Sequence, residues 1–333
     1  MKIAIYGAGA VGSVFGGLLA RAGADVTLVG RGAHFDAMAR DGLGVQIGDA
    51  APFAVRPRCV ADPAAAGVQD YVVMTVKGHA VPDAAERIAP MLGPQTAVVA
   101  AQNGIPWWYF HKAGGRWDGH RLRTVDPDGR AWRLIGPERA IGAVVSASCE
   151  VEAPGHVHNL GTRNLTLGEA DGAISDRCLA LSQILEAAGA TAPVVPNIRD
   201  PLWSKLWGNI SFSQIAVLTG STLGPLIADP VLQAFGRRIM EDTEAVGRAI
   251  GVRFIGTIDE RIAITAKNGA HKTSILVDLE RGRRFEIDAQ VGAVIEIARM
   301  VGVPTPTVDL LYALVRLRAI NSGCYPADAP LPA

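Results

Sequence analysis

No run of about 18 consecutive apolar residues occurs in this chain, so the sequence predicts no membrane-spanning helix. The opening "MKIAIYGAGAVG" has one lysine and only a few apolar residues before glycine intervenes, too short for a signal-peptide core. Excess charge of either sign is missing too. Lys plus Arg equal Asp plus Glu at 32 each, which leaves no overall field to draw the chain to nucleic acid or anionic lipid. Cysteine is scarce and scattered: Cys59, Cys149, Cys178 and Cys324 form no CxxC pair, and the seven histidines show no HExxH spacing. Free thiols and no zinc site are expected. These absences predict a soluble, cytoplasmic protein with no nucleic-acid, membrane or metal partner, in which any charged ligand is held locally. What remains is 333 residues, 49% apolar and 19% charged, enough for two domains with large cores.

The first half reads as a nucleotide-binding sheet. "KIAIY" is a β-branched run that stops at "GAGAVGSVFGGLLARAG", where Gly7, Gly9 and Gly12 give GxGxxG and helical periodicity follows. Gly7 permits a tight turn, Gly9 lets backbone approach a pyrophosphate, and Gly12 lets the helix pack close on the strand. The free amides across Ala8, Ala10 and Val11 then face the phosphates. At the end of the second strand, "DVTLVGR", NAD sites place an acid for the ribose, whereas this chain has Arg31. A guanidinium there favours a 2′-phosphate and hence NADPH. The bland alternative is a solvated Arg31, with Asp36 near enough to be the missing acid. Two further buried-looking strands, "DYVVMTV" and "TAVVAAQ", run into Lys77 and Asn103. Ligands bind at the carboxyl ends of strands in open α/β sheets, so the glycine turn, Arg31, Lys77 and Asn103 should rim one crevice. From about residue 140 three more strands, "AIGAVVSASCE", "GHVHNL" and "RNLTLGE", read as antiparallel additions, followed by a helix through "DRCLALSQILEAAG". "PNIRDP" then punctuates the chain, giving domains at 1–196 and 197–333.

The second half reads as helical, with spans near 202–219, 229–250, 257–267, 274–280, 286–300 and 306–321. In the first, Lys205, Asn209 and Ser213 recur every four residues and form a polar stripe beside Trp203, Leu206, Trp207 and Ile210. A lysine so placed either snorkels to water or serves chemistry. In "HKTSILVDLERGRRFEID", Ser274 and Glu286 suit helix starts, which gives each a structural reading. Apolar helices such as "VGAVIEIARMVGV" suit either the core or the surface of a homodimer.

Taken together, "GAGAVGS", "LVGR", "TVKGH", "QNG", "WSKLWGN" and "TSILVDLERGRRFEID" make the chain resemble the ketopantoate reductase family over nearly its whole length. The resemblance implies an N-terminal Rossmann-type domain, a C-terminal all-helical domain and NADPH-dependent reduction of a small 2-keto acid, ketopantoate to pantoate first. It makes Lys205 the general acid, Asn103 and Asn209 substrate contacts and Ser274 a contact to the substrate carboxylate. Lys77, Asn103 and Glu286 fall on the cofactor side, and Arg31 meets the 2′-phosphate. The chemistry wants such a lysine independently, because hydride delivery to a ketone builds negative charge on oxygen that an ammonium can neutralise and protonate.

Two departures bear on the substrate. The family usually carries a second asparagine four residues beyond the first, where this chain has Ser213, shorter and without an amide. The stretch 106–139 is long for the family and holds four of the six tryptophans and six arginines. It reads as a hairpin turning at "DPDG" and packing on its own aromatics, or as a lid contacting a different, branched or aromatic 2-keto acid. The competing class is a non-catalytic NADPH-binding sensor, against which the joint presence of Lys205, Asn209, Asn103, Ser274 and Glu286 argues.

Overall fold

A computed structural model describes residues 1–270 and 272–332. The chain begins with β1 (Lys2–Tyr6), α1 (Ala10–Arg21), β2 (Asp25–Val29) and α2 (Ala33–Asp41). Three short strands follow, β3 (Leu43–Ile47), β4 (Phe53–Val55) and β5 (Arg58–Val60), none of them evident in the sequence. Next come β6 (Gln69–Met74), α3 (Val81–Arg87), β7 (Leu92–Ala100) and a short α4 (Arg130–Leu134). The three expected later strands are two long ones, β8 (Ala140–Ala153) and β9 (His156–Glu169), forming one antiparallel hairpin before α5 (Asp176–Ala187). Everything joins one nine-stranded sheet in the order β4-β3-β9-β8-β7-β6-β1-β2-β5.

The sheet curls around α1. Eight consecutive residues of that helix, Gly12 to Leu19, are buried, whereas a helix lying on one sheet face buries a single stripe. Its small residues explain the fit on opposite sides. A Cβ at Gly16 would lie 2.6 Å from Leu28 of β2, and one at Gly17 would lie 2.6 Å from Val45 of β3. β3 pairs in parallel with β9, not with β2, and thereby brings the far end of the sheet back over the helix.

From residue 199 onward the described chain is helical: α6 (Arg199–Ile210), α7 (Phe212–Thr219), α8 (Leu223–Ala228), α9 (Pro230–Ala249), α10 (Ile258–Lys267) and α11 (Ser274–Glu280). A π-helical turn (Asp288–Gly292) leads into α12 (Ala293–Val301), and α13 (Pro306–Asn321) follows. The expected helix 202–219 is in fact α6 and α7, broken at Ser211, whose backbone sits at φ −100 and ψ −96. The Ser211 hydroxyl donates back to the Trp207 carbonyl at 2.5 Å, so a side chain takes the place of a helical N–H. Lys205 and Asn209 keep their common face; Ser213 lies beyond the break and donates to the Gly208 carbonyl. The "VGAVIEIARMVGV" helix is core, with Val294, Ile295 and Ile297 at most 1% exposed.

The stretch 106–139 is not a hairpin; it packs partly on its own rings, with His111 against Trp132 and His120 between Phe110 and Trp117, and is anchored in the shared core. Trp107, Trp108, Tyr109 and Phe110 are at most 3% exposed and belong to the same apolar cluster as Trp203 and Trp207 of α6. The Trp203 indole donates to the Tyr109 hydroxyl at 2.7 Å, and Arg199 donates to the Tyr109, His111 and Ala170 carbonyls. Asp126 of "DPDG" accepts from the Ala131 and Trp132 amides and so starts α4. Burial of large aromatic surface outweighed local turn chemistry here.

Candidate active site

The glycine turn has the form its sequence requires. Gly7 has φ +107, and a Cβ there would come within 2.8 Å of the Val76 amide. A Cβ at Gly12 would lie 2.6 Å from the Gly7 carbonyl, while nothing lies within 4 Å of the Cβ position at Gly9. Gly9 caps α1 without a side chain, so the amides of Ala10, Val11 and Gly12 begin the helix beneath open space. Thr75, which follows β6, donates its hydroxyl to the Gly7 carbonyl at 2.7 Å and fixes the turn. Arg31 is exposed just past the end of β2, and Asp36 lies on the first turn of α2. These residues fit a dinucleotide: a cradle that side chains would fill is empty of them, and a cation stands at its outer end.

At the carboxyl ends of β6 and β7 the polar residues join a single network. Glu286, 3% exposed, accepts from the Gly78 amide at 2.9 Å and from Asn103 Nδ2 at 3.4 Å. Lys77 pairs with Asp278 at 2.6 Å and lies 4.0 Å from Glu286. Asn103 Oδ1 in turn accepts from Lys205 Nζ at 2.6 Å, and the Val145 carbonyl accepts from the same ammonium. The loop carrying Asn103 is pinned from behind, because Ile105 donates to the Ala289 carbonyl of the π-turn at 2.7 Å. Gly104 has φ +87, and any side chain there would collide with that carbonyl.

Lys205 is the electrostatic centre of the site. Its side chain is half-buried at the pocket wall, and burial pushes the ammonium down from 10.5 to about 8; Glu286 opposes this and Arg261 reinforces it. Both of its hydrogen-bond partners are neutral oxygens, so the amine is oriented without being neutralised. Lys205, Asn103 and Asn209 line one narrow pocket with Gln102 and Leu206. A larger cavity of about 290 Å³ shares Gln102 and Asn103 with it and is lined further by Trp107, Thr124 and His79. The narrow pocket is the candidate reaction centre, because it contains the ammonium and the larger one does not.

The structure therefore gathers Lys77, Asn103, Lys205, Asn209 and Glu286. Ser274 is exposed at the start of α11, where Thr273 is the cap, and no side-chain bond ties it to this group. Three contributors escaped the sequence reading. Asp278 is an acid inside the apolar run "SILVDLE", a signal that could have been noticed. Gln214 donates to the Asn209 carbonyl and to Gln290 Oε1, each at 3.0 Å, tying α7 to the π-turn. Arg261 comes from α10, far along the chain, with no motif around it.

Comparison with known proteins identifies the family. Residues 3–112 match the family model described as ketopantoate reductase PanE/ApbA, and residues 197–319 match its C-terminal counterpart. The 2-dehydropantoate 2-reductase of Mesorhizobium japonicum is 47% identical over 326 residues, covering 98% of this chain and 100% of its own. A PanE/ApbA family ketopantoate reductase structure from Ralstonia eutropha JMP134 superposes with a TM-score of 0.83 at 30% identity, over 97% of this chain and 99% of that one. A Ralstonia solanacearum MolK2 structure given the same activity name reaches 0.92 at 40% identity, with the same two coverages. A Rossmann-like sheet with a helical C-terminal half, aligned end to end with these relatives, places the chain in the ketopantoate reductase family.

Proposed function

We propose that this chain reduces 2-dehydropantoate to pantoate with NADPH. One observation carries the reading: a half-buried ammonium, Lys205, held by neutral oxygens at the edge of a sheet that also presents a dinucleotide turn. The chain is a dinucleotide-dependent oxidoreductase of its family, and the Mesorhizobium japonicum relative is named for this reaction. NADPH rather than NADH follows from Arg31 at the position where an acid would meet the ribose.

The residues have distinct tasks. The amides of Ala10, Val11 and Gly12 would hold the pyrophosphate, because those of Gly7 and Ala8, the latter expected to be free, donate to the Val29 carbonyl and that of Gly9 to the Gly7 carbonyl. Arg31 would meet the 2′-phosphate, and Lys77, Asn103 and Glu286 would hold the nicotinamide end. When bound, the cofactor supplies the hydride. Lys205 keeps a proton on Nζ against the ketone oxygen, neutralises the charge that grows there and donates that proton. Asn103 Oδ1 sets the direction of the ammonium, while the Asn209 amide is free to bind the hydroxyl and Ser213 reaches the far end of the ligand at most through its hydroxyl. Ser274 contributes from the start of α11. Residues 1–196 form the cofactor domain and residues 197–333 the substrate domain in this reading. Trp108, Tyr109 and Phe110 are committed to the core, which leaves a branched aliphatic keto acid ahead of an aromatic one.

A cytoplasmic location suits the four free thiols. The stripe of Leu310, Leu314 and Leu317 on α13, each more than 40% exposed, is the face on which we place a homodimer, and sedimentation velocity would read the state directly. The function itself is tested by following NADPH absorbance with a panel of 2-keto acids. Turnover with 2-dehydropantoate is expected; NADPH binding with no turnover on any member would return the chain to the sensor class.

A further inference from the structure

Arg261 is a half-buried cation that no acid balances among the described residues. It sits on α10, whose start is fixed by the reciprocal capping of Thr257 and Glu260. Other inward arginines are matched: Arg177 forks onto Glu169, and Arg199 donates to three backbone carbonyls. The Arg261 Nε is buried without a hydrogen-bond partner, and burial is the sole influence on its ionisation, with no acid pulling on it. An uncompensated guanidinium in such a place is costly unless an anion arrives to meet it.

Its position says which anion. The guanidinium lies against α6 at Gly208, where a Cβ would be 2.9 Å from Nε and closer still to Nη2. Only the missing side chain at 208 lets Arg261 come so near. Gly208 falls between Lys205 and Asn209 on the same helical turn, and Arg261 is close enough to oppose the charge on Lys205. A 2-keto acid has its carboxylate bonded directly to the ketone carbon, so a ketone oxygen at Lys205 brings the carboxylate next to it. A planar guanidinium fork matches a carboxylate with two parallel bonds, which a serine hydroxyl cannot do.

We propose that Arg261, admitted by Gly208, binds the substrate carboxylate and fixes which end of the keto acid faces Lys205. The assignment rests on the 2-keto acid reading above and goes beyond it in naming a residue outside the family motifs quoted from the sequence.

The test is steady-state kinetics on the full-length protein with a 2-keto acid and with its neutral methyl ester. Arg261→Ala should raise KM for the acid roughly 10- to 100-fold, the loss of charge-assisted hydrogen bonds, with kcat and NADPH affinity within a few fold. KM for the ester should hardly change, and added guanidinium ion should restore part of the loss. Gly208→Ala keeps the charge but displaces it, and should raise KM for the acid about tenfold, so it decides the matter should Arg261→Ala fold poorly. An unchanged KM for the acid in both variants, or equal losses for acid and ester, overturns the proposal. If the wild type turns over no 2-keto acid, the substrate reading falls by itself. The anchor is then scored by calorimetric binding of oxamate: a tenfold loss in Arg261→Ala keeps it, and no change removes it.

Discussion

In the proposed mechanism Lys205 trades stability for chemistry, and the two can be measured separately. Lys205→Ala should lower kcat by roughly 10²–10⁴, the usual worth of a positioned proton donor, with NADPH affinity within a few fold. The pH dependence has a definite sign. Reduction needs the protonated amine, so kcat/KM should fall as pH rises through about 8, and the variant should lose that limb. In the unfolded chain the lysine holds its proton up to 10.5. Between the two values the unfolded state carries more protons, so this residue's contribution to stability rises with pH there and is most unfavourable below 8. Lys205→Met, which fills the space without a charge, should therefore stabilise the fold by roughly 1–3 kcal/mol in urea titration at neutral pH while abolishing turnover. A variant both inactive and less stable would contradict this account. Arg31→Ala supplies the cofactor counterpart: kcat/KM with NADPH should drop roughly 10- to 100-fold and that with NADH should barely move.

Elements differ in how far they could be read from the sequence. β1, the glycine turn and α1 were legible because turn chemistry and periodicity are local and agree. β3 was not, since "LGVQI" finds its partner in β9, more than 100 residues away. The break at Ser211 interrupts continuous helical periodicity and depends on one hydroxyl, so pattern alone extended the helix through it. At the site, Lys205 and Asn103 could be paired only through resemblance, because their 2.6 Å contact joins residues 102 apart. Asp126 shows how a correct local signal was misassigned: "DPDG" does turn the chain, but to begin α4, not to close a hairpin. Asp126→Ala should remove two capping bonds and cost about 1–2 kcal/mol in chemical denaturation, with kcat little changed.

At the scale of the whole molecule, one apolar cluster runs from Val72 and Val98 of the sheet through Trp108 to Trp203, Ile239 and Leu311 of the helices. A core shared in this way should melt as a unit, with far-ultraviolet circular dichroism and tryptophan fluorescence giving coincident transitions that NADPH shifts upward together. Two separated transitions would mean that the halves are held apart more than the packing indicates. The sheet's wrap around α1 also bears on the birth of the protein. Gly44 of β3 pairs opposite His156 of β9, so α1 stays uncovered on one side until the ribosome has added more than 100 further residues. At ordinary elongation rates that wait is on the order of ten seconds. Throughout it the nascent chain displays Val14, Leu18 and the unpaired edge of β3, a natural target for chaperones. A ribosome-arrested chain that stops before β8 should therefore fail to bind dinucleotide although every glycine of the turn has already been made.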